Sequence, residues 1–242
     1  MKGSSHTTLT TGNIGIPKFD LTGKIALITG VGSEIGIGRA IARTFAWYGA
    51  DLVIADIDEE KIKARAGEIA EESSRRIVPV CCDVCSNEDQ ENLVKIAMES
   101  FGRIDILVND AGVVLSNDQL IVDTDEDEFD RVVDTDFKAV FFLCKRVAKI
   151  MIQQEQGNII NLASVVARVA STRMAAYAAA KGGVKQMTMA FANELAEKNI
   201  NVNAIAPGYM DTDNIAGIKA DEARLKTIMD RIPAKRLGKP ED

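Results

Sequence analysis

Three residues of the sequence have the types and the spacing of a proton-transfer site. Ser164 is followed 13 residues later by Tyr177, and Lys181 comes four residues after the tyrosine. The run YAAAK is typical of a helix, where positions i and i+4 lie on one face, so the phenol and the ammonium group would be neighbours. A free phenol, with a pKa of about 10, is a poor base near neutral pH, and an adjacent cation stabilises its ionised form.

This chemistry suits the interconversion of an alcohol and a ketone. Moving a hydride from an alcohol carbon to a nicotinamide requires that the hydroxyl proton leaves as well. Tyr177 would take that proton, Ser164 would hold the oxygen, and Lys181 would tune the tyrosine and bind the ribose of the cofactor. A tyrosine and a lysine at this spacing also occur on the surface of ordinary helices, so the surrounding elements decide between the two interpretations.

Six short apolar runs rich in isoleucine and valine alternate with charged segments of helical period. Such runs are typical of strands covered on both faces, and their alternation with helices predicts a parallel sheet with right-handed crossovers. We therefore predict an α/β fold, a Rossmann-like doubly wound parallel sheet with helices on both faces. It would form a single domain over residues 23–242, behind a flexible tail at 1–22. Ser86 is expected to cap one of the helices. The expected strands are 24–29, 51–56, 77–82, 104–109, 158–163 and 201–206.

A glycine-rich segment follows the first strand, at the sheet edge where such folds bind ligands. The segment TGVGSEIGIG, residues 29–38, opens a helix whose free N–H groups would hold a pyrophosphate. A G-x-G-x-x-G pattern that starts at Gly30 fails at Ile35, whereas counting from Gly32 gives G-x-x-x-G-x-G. A simple tight turn is the alternative. Glu34 is expected to face solvent, because a carboxylate that faced the pyrophosphate would repel it.

The ends of the next three strands have residues suited to the rest of a dinucleotide. Asp56 lies 26 residues beyond Gly30 and can accept hydrogen bonds from an adenosine ribose while repelling a 2′-phosphate. NAD is therefore expected and NADP is less favoured, although a helix cap would also explain Asp56. The third strand runs into Asp83 and Val84, which would lie beside another part of the same dinucleotide. The fourth ends in small residues at 109–112, which would let a nicotinamide ribose approach the backbone.

The composition argues against several classes of partner. The 242 residues carry 29 basic and 36 acidic side chains, for a net charge of −7, so nucleic acid and anionic membrane surfaces are poor partners. No segment approaches the length of a membrane span. Four cysteines with a single C-x-x-C, and one histidine at His6, do not supply a metal site. They favour a reducing, cytoplasmic compartment.

Residues 19–242 resemble the classical short-chain dehydrogenase/reductase family, whose motifs occur here in order and at the family spacing. The resemblance implies an oxidoreductase with a nicotinamide cofactor, in which Ser164, Tyr177 and Lys181 are catalytic. The cofactor-binding residues that it implies are Gly30, Gly32, Ser33, Gly36, Ile37, Gly38, Asp56, Asp83, Val84, Asn109, Ala111, Gly112, Tyr177, Lys181, Pro207, Gly208 and Thr212. The last three flank the nicotinamide in the family.

The sequence departs from the family pattern at four places. The glycine loop has two extra residues relative to T-G-x-x-x-G-x-G, and Asp110 replaces the second asparagine of N-N-A-G. The chain stops at GKPED, where family members usually continue through a helix and a seventh strand. Asp136 occupies the place of the family's catalytic asparagine, which helps to hold a water in the proton relay. Its charge would compete for Lys181 and so lower the activity or shift the pH optimum. Alternatively, Asp136 turns away and caps local backbone.

The segment at about 209–236 corresponds to the substrate lid of the family and is expected to be partly helical. Its PGYM, ADE and RIPA motifs resemble those of dehydrogenases that act on gluconate or on 2-keto-3-deoxygluconate at carbon 5, which implies a sugar acid or polyol substrate. The alternatives are a 3-oxoacyl-carrier-protein reductase-like enzyme and a nucleotide-binding regulatory protein with impaired chemistry. Arg231, Lys235 and Arg236 either bind a substrate carboxylate, or are solvated or paired with nearby aspartates and glutamates.

The helices expected near 126–153 and 174–197 carry apolar residues on more than one face. These helices thus have more apolar surface than packing against one face of the sheet requires. Together with the resemblance, it implies a homodimer or a homotetramer, and loss of a seventh strand would weaken a tetramer that depends on it.

Overall fold

One parallel sheet positions the carboxyl ends of all its strands along a single edge. The computed structural model describes residues 19–113 and 120–242. Its strands are β1 Ile25–Thr29, β2 Asp51–Asp56, β3 Ile77–Cys81, β4 Ile106–Asn109, β5 Gly157–Leu162 and β6 Ile200–Ile205. They lie in the order β3-β2-β1-β4-β5-β6, and every neighbouring pair is parallel. The order reverses between β1 and β4, which opens the crevice where doubly wound sheets bind ligands.

Helices connect the strands and cover both faces of the sheet. Ser86 caps α3 as expected, because its hydroxyl oxygen accepts the N–H of Asp89 at 3.2 Å. A π-helical turn at Asp134–Lys138 joins α4 to α5, so the helical region expected near 126–153 is irregular in its middle. The helices are α1 Ile37–Trp47, α2 Glu59–Ser73, α3 Asn87–Phe101, α4 Glu126–Val133, α5 Ala139–Gln154, α6 Ala175–Leu195, α7 Ala216–Ala220 and α8 Glu222–Arg231.

Alternate side chains of the strands enter two separate apolar cores. Ile28 of β1 belongs to the core that contains α1 and α2 residues, whereas Leu27 belongs to the core that contains α3, α5 and α6 residues. All five residues of β1 are buried. Because both faces of the central strands β1 and β2 are covered, these strands have nearly continuous buried apolar runs. The predicted Rossmann-like fold is confirmed.

The expected boundaries differ from the structure mainly at β4, which begins at Ile106 rather than at residue 104. Asp105 lies just before it, with a carboxylate that accepts the N–H of Ile25 at 3.0 Å. The lid segment contains a 3₁₀ turn at Asp213–Ile215 followed by α7 and α8. Of the tail expected at 1–22, residues 1–18 lie outside the described residues. Within residues 19–113 and 120–242, no helix is long and apolar enough to cross a membrane.

Candidate active site

A cavity of about 390 Å³ lies at the carboxyl edge of the sheet. The segments that follow all six strands contribute to its wall, and the lid closes its far side. Three of the expected cofactor residues, Gly32, Gly38 and Asn109, lie behind the wall. The expected residues that line it are Gly30, Ser33, Gly36, Ile37, Asp56, Asp83, Val84, Ala111, Gly112, Asp136, Ser164, Tyr177, Lys181, Pro207, Gly208 and Thr212.

Ser164, Tyr177 and Lys181 meet in the middle of this cavity. Ser164 follows β5, and its hydroxyl hydrogen-bonds the phenol of Tyr177 on α6. Lys181 lies one helical turn further, with Nζ 5.6 Å from the centroid of the tyrosine ring. The Lys181 ammonium donates to the carbonyl oxygen of Leu162 at 3.0 Å, which fixes it beneath the phenol.

Asp136 belongs to the same cluster. The π-helical turn directs its side chain inward, where it is fully buried, and Oδ1 lies 2.9 Å from Nζ of Lys181. Oδ2 accepts the N–H of Val113 at 3.3 Å. A Cβ on Gly112 would lie 2.5 Å from Oδ1, so the ion pair requires glycine at that position. The carboxylate therefore contacts Lys181 instead of turning away from it.

The ion pair changes the electrostatics of the tyrosine. Burial raises the pKa of Tyr177, Lys181 lowers it, and the negative charges of Asp136 and Asp110 raise it again. Burial also raises the pKa of Asp136, against the opposing effects of Lys181 and the Val113 N–H. The net result is a raised pKa for Tyr177, chiefly because the phenol is buried and in part because Asp136 opposes the effect of the neighbouring cation.

The glycine loop is built around the end of β2. The N–H of Gly32 donates to Oδ2 of Asp56 at 2.8 Å, and a Cβ on Gly32 would lie 2.6 Å from the carboxylate carbon. Gly30 has φ +76° and packs on the backbone of Ala111. The N-cap residue Gly36 supplies no side-chain cap to α1, and the first turn has no acidic residue. Apart from the Gly38 N–H, which the Asp110 carboxylate accepts, the N–H groups of this turn remain for an anion. Glu34 is exposed.

These features fit a dinucleotide. Uncapped N–H groups at α1 suit a pyrophosphate, and the Asp56 carboxylate at the end of β2 suits ribose hydroxyls. Asn109 has a supporting role instead of lining the cavity: its side chain is buried and donates to Oδ1 of Asn161 at 2.8 Å, which ties β4 to β5.

Two contacts of the site were not expected from the sequence. The N–H of Ile35 donates to Oδ2 of Asp213 at 3.1 Å, and the N–H of Asp213 donates to the carbonyl oxygen of Ile35 at 3.0 Å. This reciprocal pair joins the lengthened glycine loop to the lid. The carboxylate of Asp110 accepts the N–H of Gly38, at the start of α1. Both contacts join residues far apart in the chain, and no local sequence pattern predicts them.

The part of the cavity that the lid lines is largely apolar, and Asn214 is among its few polar groups. Lys181 is the only cation among the described lining residues. Arg231, Lys235 and Arg236 do not line the cavity; Lys235 donates to the carbonyl oxygen of Asp230, and Arg236 pairs with Asp242. Of the two expectations for these cations, the structure therefore favours positions outside the substrate site. The apolar wall consists of Val113, Val165, Val166, Met174, Tyr209, Met210, Ile215 and Ile218.

Comparison with known proteins places the chain among oxidoreductases. A family model described as enoyl-(acyl carrier protein) reductase matches residues 30–242. The chain is 40% identical over 225 residues to the 2-dehydro-3-deoxy-D-gluconate 5-dehydrogenase of Dickeya dadantii, covering 93% of this chain and 86% of the relative. It is 38% identical to the 3-oxoacyl-acyl-carrier-protein reductase of Thermotoga maritima, covering 92% and 87%.

Solved structures agree with this placement. A short-chain type dehydrogenase/reductase from Mycobacterium marinum matches with a TM-score of 0.86 and 33% identity, covering 92% of this chain and 86% of that one. A structure from Beutenbergia cavernae, named as an NAD(P)-dependent gluconate 5-dehydrogenase and holding NADP at low occupancy, matches with a TM-score of 0.85 and 34% identity, covering 92% and 87%. By sequence, by fold and by the arrangement of its cavity, this chain belongs to the short-chain dehydrogenase/reductase family of nicotinamide-dependent oxidoreductases.

Proposed function

We propose that this protein is an NAD-dependent dehydrogenase that interconverts a secondary alcohol and a ketone on a sugar acid or polyol. The observation that carries the proposal is the cluster of Ser164, Tyr177 and Lys181 in a cavity whose other end has the Asp56 carboxylate. The nicotinamide dinucleotide, when bound, supplies or accepts the hydride. Tyr177 exchanges the proton with the substrate oxygen, Ser164 orients that oxygen, and Lys181 stabilises the phenolate.

The choice of NAD rests on Asp56. Its carboxylate already accepts the Gly32 N–H and still faces the cavity, where a 2′-phosphate would be repelled.

The choice of a sugar acid or polyol rests on the relatives from Dickeya dadantii and Escherichia coli, both 2-dehydro-3-deoxy-D-gluconate 5-dehydrogenases at 40% identity. Four free cysteines support a reducing, cytoplasmic compartment for the reaction.

A 3-oxoacyl-carrier-protein reductase-like activity is the second candidate. The apolar wall at the substrate end favours it, because an acyl chain buries apolar surface and a sugar acid does not. A nucleotide-binding protein with impaired chemistry is the third candidate, supported by the partial neutralisation of Lys181 by Asp136.

Assembly as a homodimer or homotetramer accompanies the proposal. Phe141 and Ile152 on α5 and Met189 on α6 are exposed apolar side chains, and the rings of Phe141 and Phe191 pack edge to face across the two helices. Pairing of these helices with a second copy would bury this surface.

A dehydrogenase screen tests the three candidates together. The full chain is titrated with NAD and NADP and then assayed with sugar acids, polyols and 3-oxoacyl thioesters, with Tyr177→Phe as the matched inactive control. Turnover of a sugar acid or polyol with NAD supports the proposal, and turnover of thioesters with NADPH favours the second candidate. Cofactor binding without turnover of any alcohol or ketone would overturn the enzyme assignment.

A further inference from the structure

Asp110 lies at the end of β4, with its backbone fixed to β1 and its side chain directed at α1. The N–H groups of Asp110 and Ala111 both donate to the hydroxyl oxygen of Thr29, each at 3.2 Å. The Asp110 carboxylate accepts the N–H of Gly38 in the first turn of α1. A Cβ on Gly38 would lie 2.6 Å from Oδ2 of Asp110, so glycine at this position is what lets the carboxylate reach the helix.

Asp110 thus occupies the end of α1 that attracts anions. The N-cap residue of α1, Gly36, supplies no side-chain cap, and the first turn has no acidic residue of its own. The carboxylate therefore comes from another element and lies beside the N–H groups that a pyrophosphate would use. An ionised carboxylate and a doubly charged pyrophosphate at one helix N-terminus repel each other.

The charged groups around Asp110 give it only a partial counter-charge. Lys181 and Tyr177 face it from α6, and Asp56 faces it from the end of β2. Lys181 is already paired with Asp136. Burial raises the pKa of Asp110 to about 7, with a smaller increase from Asp56, against the opposing effects of Lys181 and the Gly38 N–H.

We propose that Asp110 couples cofactor binding to proton uptake, because the dinucleotide binds to the form of the protein in which this carboxyl is neutral. The inference rests on the proposed function in one respect, that the pyrophosphate lies at the N-terminus of α1. A neutral carboxyl still accepts the Gly38 N–H through its carbonyl oxygen, so the loop keeps its shape in both states. Affinity for the cofactor is therefore highest at pH values where Asp110 is protonated and falls, by at most tenfold for each pH unit, above them.

Calorimetric titration of the full chain with NADH between pH 6 and pH 9, in buffers with different ionisation enthalpies, tests this coupling. For a group that titrates near neutrality, the affinity should fall roughly tenfold between about pH 7 and about pH 8.5, with uptake of roughly half a proton or more at about pH 7.5. Asp110→Asn should bind with an affinity that is independent of pH and without proton exchange. Glu34→Gln, which removes an exposed carboxylate from the glycine loop that precedes α1, should retain the uptake.

The outcomes separate the inference from the function on which it rests. Binding without proton uptake by the unmodified chain overturns the inference, and this measurement needs no variant. Uptake that persists in Asp110→Asn overturns it as well, because another group would then carry the proton. Failure of NADH and of NADPH to bind at every pH overturns the proposed function instead.

Discussion

Lys181 and Asp136 form a buried ion pair in which Nζ lies 2.9 Å from Oδ1. The lysine that should stabilise the phenolate of Tyr177 thus has a carboxylate as its direct neighbour. The family has an asparagine at the position of Asp136, which would leave the charge of the lysine intact. We therefore expect the pair, together with burial of the phenol, to raise the pH range in which Tyr177 acts as a base.

Asp136→Asn is expected to move the pH–rate profile for alcohol oxidation toward lower pH by roughly one unit, because Lys181 then acts on Tyr177 with its full charge. The rate near neutral pH should rise accordingly. Steady-state rates between pH 6 and pH 10 measure the shift. Asp134→Asn is the matched control, since Asp134 lies in the same π-helical turn but pairs with Lys138 at the surface. Superimposable profiles for Asp136→Asn and the parent would remove Asp136 from the mechanism.

Tyr177→Phe should lower kcat by roughly 10²- to 10⁴-fold, the usual contribution of a positioned acid or base. The Kd for NADH should stay within about threefold, since only the hydroxyl is lost and the aromatic ring and its packing remain. Stopped-flow kinetics measure the catalytic rate, and fluorescence titration measures the Kd for NADH. Tyr48→Phe, at an exposed tyrosine, is the control. A variant at position 177 with nearly full activity would show that another group transfers the proton.

Asp56→Asn should reduce the preference for NAD over NADP by roughly tenfold, because a charge-assisted hydrogen bond to the ribose contributes about 1.5–3 kcal/mol and the repulsion of a 2′-phosphate is lost. The two dissociation constants, measured side by side, give the ratio. Asp51→Asn removes a carboxylate at the opposite end of β2, where it pairs with Arg75, and should leave the ratio unchanged. An unchanged ratio in Asp56→Asn would assign cofactor choice to other residues.

Asp213→Ala should accelerate dissociation of the cofactor by roughly three- to tenfold, since it removes one of the two hydrogen bonds between the lid and Ile35, worth about 0.5–1.5 kcal/mol. Displacement of bound NADH in a stopped-flow instrument measures this rate. Asp211→Ala is matched to it, because Asp211 is an exposed lid carboxylate that pairs with Lys219. Equal rates for the two variants would mean that the contact does not hold the lid.

Asp110→Asn should stabilise the protein increasingly as the pH rises. Burial raises the pKa of Asp110 from 3.8 to about 7, so the unfolded chain loses this proton first and the ionised carboxyl penalises the folded state. The penalty is absent below pH 3.8, grows up to about pH 7 and is then constant. Each kcal/mol corresponds to roughly 2–4 °C in Tm for a chain of this size. Thermal unfolding of Asp110→Asn and of the parent at several pH values measures the difference in Tm. A difference in Tm that does not change with pH would contradict the prediction.

The sequence predicts the elements of this protein better than the contacts between them. Apolar runs covered on both faces predict the strands, and the spacing of Ser164, Tyr177 and Lys181 predicts the cluster that the structure brings together, because each depends on a short-range pattern. The pairing of Ile35 with Asp213 depends on how a loop and a lid 178 residues apart meet in space. The charge of Asp136 is evident from the sequence, but the contact with Lys181 depends on the irregular helix that directs the side chain inward.

That irregular helix has a consequence for how much change the protein tolerates. In the π-helical turn, the N–H of Ala139 donates to the carbonyl oxygen of Asp134, which closes a wider ring than an α-helical turn does. Deletion of one residue from the turn would restore a regular helix and leave α4 and α5 nearly in register, because the wider ring accommodates the extra residue. Val132 and Leu143, which are both buried, would then still face the interior. What the deletion would remove is the inward position of Asp136 and its contact with Lys181. The extra residue of this segment therefore serves the cavity rather than the packing of the helices on either side of it.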